Sequence, residues 1–369
     1  MKILVKICSV FLIMLALLLM TGVQCYADEA LFEKEVFGSL PDEVLDLYED
    51  IGVDSLDFDS VFNVSGSDIL ELIKKLVTGA VESPLISVVR LIAAVIIIAV
   101  FECFLPDDSK IKDVMNLAGA LFCVLSIIKP LAFAVTSSVS SISVSGKFML
   151  VLIPVLTGVV SASGNPTLAV SFQSIAFVAA QLIALFATQV IVPVVGVILS
   201  LDIVGSLIPG FSLSSFTDAI KKSITTVLSF CATVFVSFLG LKAGMANTAD
   251  TLMGKGMKLV ISSAVPVIGG ALSEAYSGVV GSMMLVKSTI GVFGIGAIAL
   301  VTLPSCIQLL VWILALKISS GIAGMFLQRQ ISDLLKAVSS SLVLLNVTVV
   351  FVAVLFIIST SLILVLKAG

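Results

Sequence analysis

The chain has 369 residues, 59% of them hydrophobic and only 12% charged, with a mean hydropathy of +1.25. An ordinary soluble domain carries about 25% charged residues, so that class is excluded; without a basic stripe, nucleic-acid binding is disfavoured too. Residues 28–82 hold 15 acidic and 3 basic side chains while 83–369 hold 9 and 15, so the net charge of −4 averages a small acidic segment and a large, weakly basic body.

Residues 1–27 read as a secretory signal: Lys2 and Lys6 supply the positive end, 7–20 the apolar core, and Cys25-Tyr26-Ala27 a cleavage site before Asp28. The core is shorter than the roughly 20 apolar residues a spanning helix needs; an uncleaved first helix is the alternative. Gln24 stands where lipidation of Cys25 would want a small residue. Export places 28–82 outside the cytoplasm. There, Pro41-Asp42-Glu43 opens a helix with Val44, Leu45, Tyr48 and Ile51 on one face. Asp68-x-x-Glu71 resembles a capping box ahead of a stripe of Ile69, Leu70, Ile73, Leu76 and Val77. A segment this small is marginal alone and is expected to lean on the membrane, the rest of the chain or a partner.

Spanning candidates follow at 87–104, 114–134, 148–160, 167–204, 223–241, 259–285, 288–316 and 342–366. The Ser-rich stretch 136–146 reads as a turn or interfacial segment. Residues 167–204 are too long for one crossing and read as a pair broken near Gln189 and Pro193, while Pro304 offers a second break. The expectation is an all-α polytopic membrane protein with seven to ten transmembrane helices. Its divisions are a signal at 1–27, an acidic exported segment at 28–82, a first transmembrane pair at 83–147, and two membrane repeats at 148–258 and 259–369.

The repeats rest on two phrases. Ile153-Pro154-Val155-Leu156-Thr157-Gly158 returns 112 residues later as Val265-Pro266-Val267-Ile268-Gly269-Gly270. Phe216-Thr217-Asp218-Ala219-Ile220-Lys221 follows the first copy, and Ile331-Ser332-Asp333-Leu334-Leu335-Lys336 the second, Asp lying 64 and 67 residues after Pro. Two ordered matches at nearly equal spacing point to a duplicated core with Pro154 and Pro266 heading equivalent helices; two crossings in 288–316 make the halves parallel, the arrangement that groups Lys317, Arg329 and Lys336 with Lys221 and Lys222, and one crossing makes them inverted. Asp218, Asp333 and Lys336 then sit on matching amphipathic stretches, as interfacial anchors or contacts for a cytoplasmic partner.

The apolar runs contain Arg90, Glu102, Lys129, Asp202, Glu274 and Lys287. A charge at bilayer depth costs several kcal/mol, so such residues pair, line a wet cavity or snorkel. Glu274, close behind Pro266, Gly269 and Gly270, is the candidate for a wet or paired position, with an interfacial charge as the alternative. The cysteines lack C-x-x-C spacing and there is no His. No nucleotide loop is complete either. No catalytic residue, cofactor or metal site is assigned, and an enzyme is not expected.

Pro266-Val267-Ile268-Gly269-Gly270-Ala271-Leu272-Ser273-Glu274-Ala275, Leu285-Val286-Lys287-Ser288-Thr289-Ile290-Gly291 and Ile331-Ser332-Asp333 resemble the stage III sporulation protein AE family of endospore-forming bacteria. Phe148-Met149-Leu150, Pro154 and Ala162-Ser163-Gly164 are similar to its earlier half. The family tends to show Asp where this chain has Glu274. The resemblance implies a membrane subunit of the channel complex joining mother cell and forespore, set in the mother-cell-derived membrane. It also implies partners: other products of the same operon, including a secretion-type ATPase and ring- or channel-forming proteins, and a forespore-side channel protein. The lipid bilayer surrounds it. An autonomous secondary transporter and a purely structural anchor are the competing readings.

Overall fold

A computed structural model describes residues 38, 40–53, 58–62, 64–104, 110–163, 166–208, 213–264, 269–326 and 328–365. Among them the elements are all helical. Two short helices, α1 (Asp42–Asp50) and α2 (Phe58–Phe62), precede α3 (Gly66–Cys103) and α4 (Lys110–Ala162). Next come α5 (Pro166–Phe186), a π turn at Ala187–Ile191, and α6 (Val192–Leu207). The last three are α7 (Ser214–Ala264), α8 (Gly269–Met325) and α9 (Arg329–Val365). Six helical stretches among the described residues are long and apolar enough to cross a membrane. The chain is an all-α multi-pass membrane protein; the expected signal at 1–27 lies outside the described residues.

Among the described residues the stretches number six because several expected breaks are absorbed within helices. Residues 136–146, expected to turn, are the middle of α4. Their hydroxyls do not compete with the helix: Thr136 and Ser138 donate to the carbonyls of Ala132 and Ala134, at 2.9 and 2.7 Å. Ser141 reaches across to Ser305 of α8 at 2.6 Å. The expected break at Gln189 and Pro193 is a widened turn. Pro193 has no N–H for the carbonyl four residues back, and the π turn just before it takes up that mismatch without reversing the chain. Pro304 likewise sits inside unbroken α8. Residues 259–285 divide between α7 and α8.

Burial identifies the centre. In their most apolar windows α8 and α9 are 67% buried, against 6% for α7. They pack as an antiparallel hairpin, closed by a reciprocal clamp in which Ser320 donates to the Ser332 carbonyl and Ser332 to the Ser320 carbonyl, each at 3.0 Å. The α3 and α4 helices cover α8, and α6 and α7 flank α9. The outer faces of α3, α4, α5 and α7 show large exposed hydrophobics such as Phe101, Leu125, Phe177 and Phe230, as a lipid-facing surface requires.

The acidic segment leans on the rest of the chain. Leu40, Val44, Tyr48 and Val53 are buried. The Tyr48 ring stacks on Phe293 of α8 with centroids 4.6 Å apart, and its hydroxyl donates to the Phe293 carbonyl at 2.7 Å. Gly296 makes this approach possible: a Cβ there would lie 2.8 Å from the Tyr48 oxygen. Burial pushes the Tyr48 phenol well above its ordinary 10.0. Helix α3 runs unbroken through the 82/83 division, so the last helix of the acidic segment extends directly into the first spanning stretch. The divisions at 147/148 and 258/259 fall inside α4 and α7.

Tyr48→Phe should cost about 1 kcal/mol, the net worth of one hydrogen bond, and Tyr48→Ala about 3–5 kcal/mol. Gly296→Ala should destabilise the wild-type chain yet cost clearly less in the Tyr48→Phe background, where the clashing oxygen is gone. Thermal unfolding in detergent checks this cycle; equal costs of Gly296→Ala in both backgrounds would remove the docking account. Because the folded phenol is raised above its unfolded value, the docking stability is intact below about pH 10 and declines as pH rises beyond it.

Candidate functional site

The two Asp-bearing phrases open two helices in the same register. Asp218 is the fifth residue of α7 and Asp333 the fifth of α9, with Lys221 and Lys336 one turn on. Each carboxylate lies just past the first turn of its helix, and i,i+3 spacing brings each Asp to its Lys. The C-terminal ends of α6 and α8 and the N-terminal ends of α7 and α9 lie at one end of the bundle, so α6 and α8 run toward that end while α7 and α9 run away from it. The two hairpins are parallel.

Between them lies a cleft of about 720 Å³ whose walls include Asp202, Asp218, Lys221, Asp333, Lys336 and Gln330. Its floor is a buried ion pair. Lys221 Nζ donates to Asp202 Oδ2 at 2.7 Å, and also to Ser340 Oγ. The same Asp202 oxygen accepts from Ser341 Oγ at 2.6 Å. Asp202 is 4% exposed and Lys221 9%. One ammonium group thus ties α6, α7 and α9 together. Gln330 Nε2 adds a bond to the Leu207 carbonyl at 2.9 Å, satisfying an acceptor at the end of α6.

The mouth is different in kind. Lys221 lies 3.7 Å from Asp218, whose side chain is 69% exposed, and Lys336 lies 3.6 Å from Asp333, with side chains 65% and 70% exposed. Exposed pairs of this geometry contribute little to stability. The Asp202 pair does so only because its partners are complete; a buried carboxylate deprived of its ammonium would be costly.

The structure therefore gathers four candidates from distant parts of the sequence: Asp202, Asp218, Asp333 and Lys336. It does not gather the others with them. Pro154 is an exposed residue inside α4, near that helix's last turns, and heads no helix. Gly269 and Gly270 open α8, and Glu274 follows on its backbone; the side chain of Glu274 and all of Pro266 lie outside the described residues. Arg90 and Lys129 are exposed and Lys287 is buried in α8. Sequence reasoning missed Lys221 as the partner of Asp202, and with it Ser340, Ser341 and Gln330. The Asp-x-x-Lys spacing shared by both phrases pairs Lys221 with Asp218 and gives no sign of Asp202. Nothing in the sequence marks out Ser340 and Ser341 from their serine neighbours.

The model of the stage III sporulation protein AE family matches residues 58–367. The chain is 18% identical over 280 residues to "Stage III sporulation protein AE" of Bacillus subtilis (strain 168), covering 74% of this chain and 70% of that protein. No solved structure matches it.

Asp202→Asn or Lys221→Met alone should lower stability by about 3–5 kcal/mol, because each strands a buried charge or its partner. The double variant Asp202→Leu/Lys221→Met should recover most of that loss. Thermal unfolding in detergent decides; single variants within 1 kcal/mol of wild type, as for an exposed pair, would contradict the three-helix tie.

Proposed function

The chain belongs to the stage III sporulation protein AE family, and on that premise we propose that it is a non-enzymatic membrane subunit of the channel or secretion-like apparatus linking mother cell and forespore. The observation carrying this reading is the extent of the match: residues 58–367 take in every candidate spanning stretch in full. In this reading the chain sits in the mother-cell-derived membrane around the forespore. It works with the other products of its operon, among them a secretion-type ATPase and ring- or channel-forming proteins, and with a forespore-side protein, and it supports late forespore gene expression.

Charge supports an orientation. Lys221, Lys222, Lys317, Arg329 and Lys336 lie near the cleft end of their helices. Under the positive-inside rule the cleft then opens to the cytoplasm and α1 lies outside. Lys255 and Lys258, toward the far end of α7, weigh the other way. The cytoplasmic cleft is the surface an ATPase-driven partner would reach. The acidic segment, with net charge −12 from its 15 acidic and 3 basic residues, is the surface facing partners between the membranes.

Deleting the gene in its spore-forming host should reduce heat-resistant spores by orders of magnitude and silence a late forespore reporter, with restoration by the wild-type gene in the mother cell. Unimpaired sporulation would refute the proposal. Solute flux by the purified protein alone in liposomes would instead favour the transporter reading. For orientation, Asp46→Cys should react with an impermeant maleimide in intact cells and Asp333→Cys only after lysis; the reverse pattern would invert the assignment.

A further inference from the structure

We propose that the cleft between α6, α7 and α9 receives a basic side chain, an arginine or lysine presented by a protein partner on the cleft side of the membrane. The inference rests on the partner-docking reading above and adds the chemistry of recognition. Its ground is the contrast between the floor and the mouth. At the floor, Asp202 is saturated by Lys221 and Ser341, and Lys221 is consumed by Asp202 and Ser340. That pair is rigid, neutral as a unit and closed to a newcomer.

At the mouth, Asp218 and Asp333 come from equivalent positions of two parallel helices. Their only described ion-pair contacts are at 3.7 and 3.6 Å, beyond hydrogen-bond length. The lining as a whole carries three carboxylates against two ammonium groups. Once the floor pair is set aside, two carboxylates face one exposed lysine. Acceptors are thus in excess in a cavity of about 720 Å³, large enough for an entering side chain with its flanking backbone. A guanidinium offers five donors in a planar fork. It can replace the long contacts of Asp218 and Asp333 with short ones and displace Lys336 into solvent at little cost.

Calorimetry on the full chain in phosphatidylcholine nanodiscs at about 50 mM salt, where screening is weak, tests this with acetyl-triarginine-amide as the probe. Asp218→Asn/Asp333→Asn should weaken binding at least tenfold, and Lys336→Gln should tighten it about two- to threefold. Asp42→Asn/Asp46→Asn, on the acidic segment, should change it less than twofold. The tricitrulline analogue, uncharged and nearly isosteric, should not bind, and triarginine should slow maleimide labelling of an Ala337→Cys variant. The proposal is overturned if the Asp218/Asp333 variant binds within twofold of wild type, or if the loss appears in the Asp42/Asp46 variant. It is also overturned if tricitrulline binds equally, or if phosphatidylglycerol without peptide slows Ala337→Cys labelling, which would make the cleft a lipid-headgroup site. None of these readings depends on sporulation, so failure here and failure of the family-based reading remain distinguishable.

Discussion

One constraint governs most of the described chain: a polar group removed from water must find its partner within the protein. The constraint fixes the helical class, because only a helix satisfies its own backbone across an apolar layer. It explains why serines and threonines do not break the helices; most donate to a carbonyl one turn back, and Ser137, Ser141 and Ser305 meet across the α4–α8 contact. It also explains why Asp202 and Lys221 are found together. Neither could be buried alone, so α6, α7 and α9 must meet where those two side chains can touch.

Composition and apolar runs made the class readable, because 59% hydrophobic residues with so few charges admit no soluble solution of this length. The helix of the acidic segment was equally legible: Val44 and Tyr48 were placed on one face, and both are buried. What misled was punctuation. Proline, glycine and serine stop helices in water, but in apolar surroundings the penalty for leaving the helix exceeds the penalty for a strained turn within it. Hence the Ser-rich stretch of α4, Pro193 and Pro304 all lie within helical chain. The site was half legible. Its four acidic and basic candidates were singled out one by one, but the sequence holds no sign that Asp202 meets Lys221, since that contact depends on how α6 returns into α7.

The repeated phrases carry a similar lesson. Asp218 and Asp333 occupy one register on two parallel helices, the fifth position of each. Pro154 lies before the end of α4, whereas α7 ends at Ala264, two residues ahead of Pro266. The earlier proline thus lies inside a helix and heads none.

The contact between Tyr48 and Phe293 spans 245 residues of chain. At synthesis rates of roughly 5–20 residues per second, α1 waits on the order of 10–50 s before its receptor on α8 even exists. Throughout that interval its apolar face has only α3 to lean on and lacks its main receptor. Docking of α1 is therefore a late event that must await the first half of α8. A product truncated before α8 would leave Tyr48 without its seat. This nine-residue helix is thus seated late, on a receptor 245 residues further along the chain.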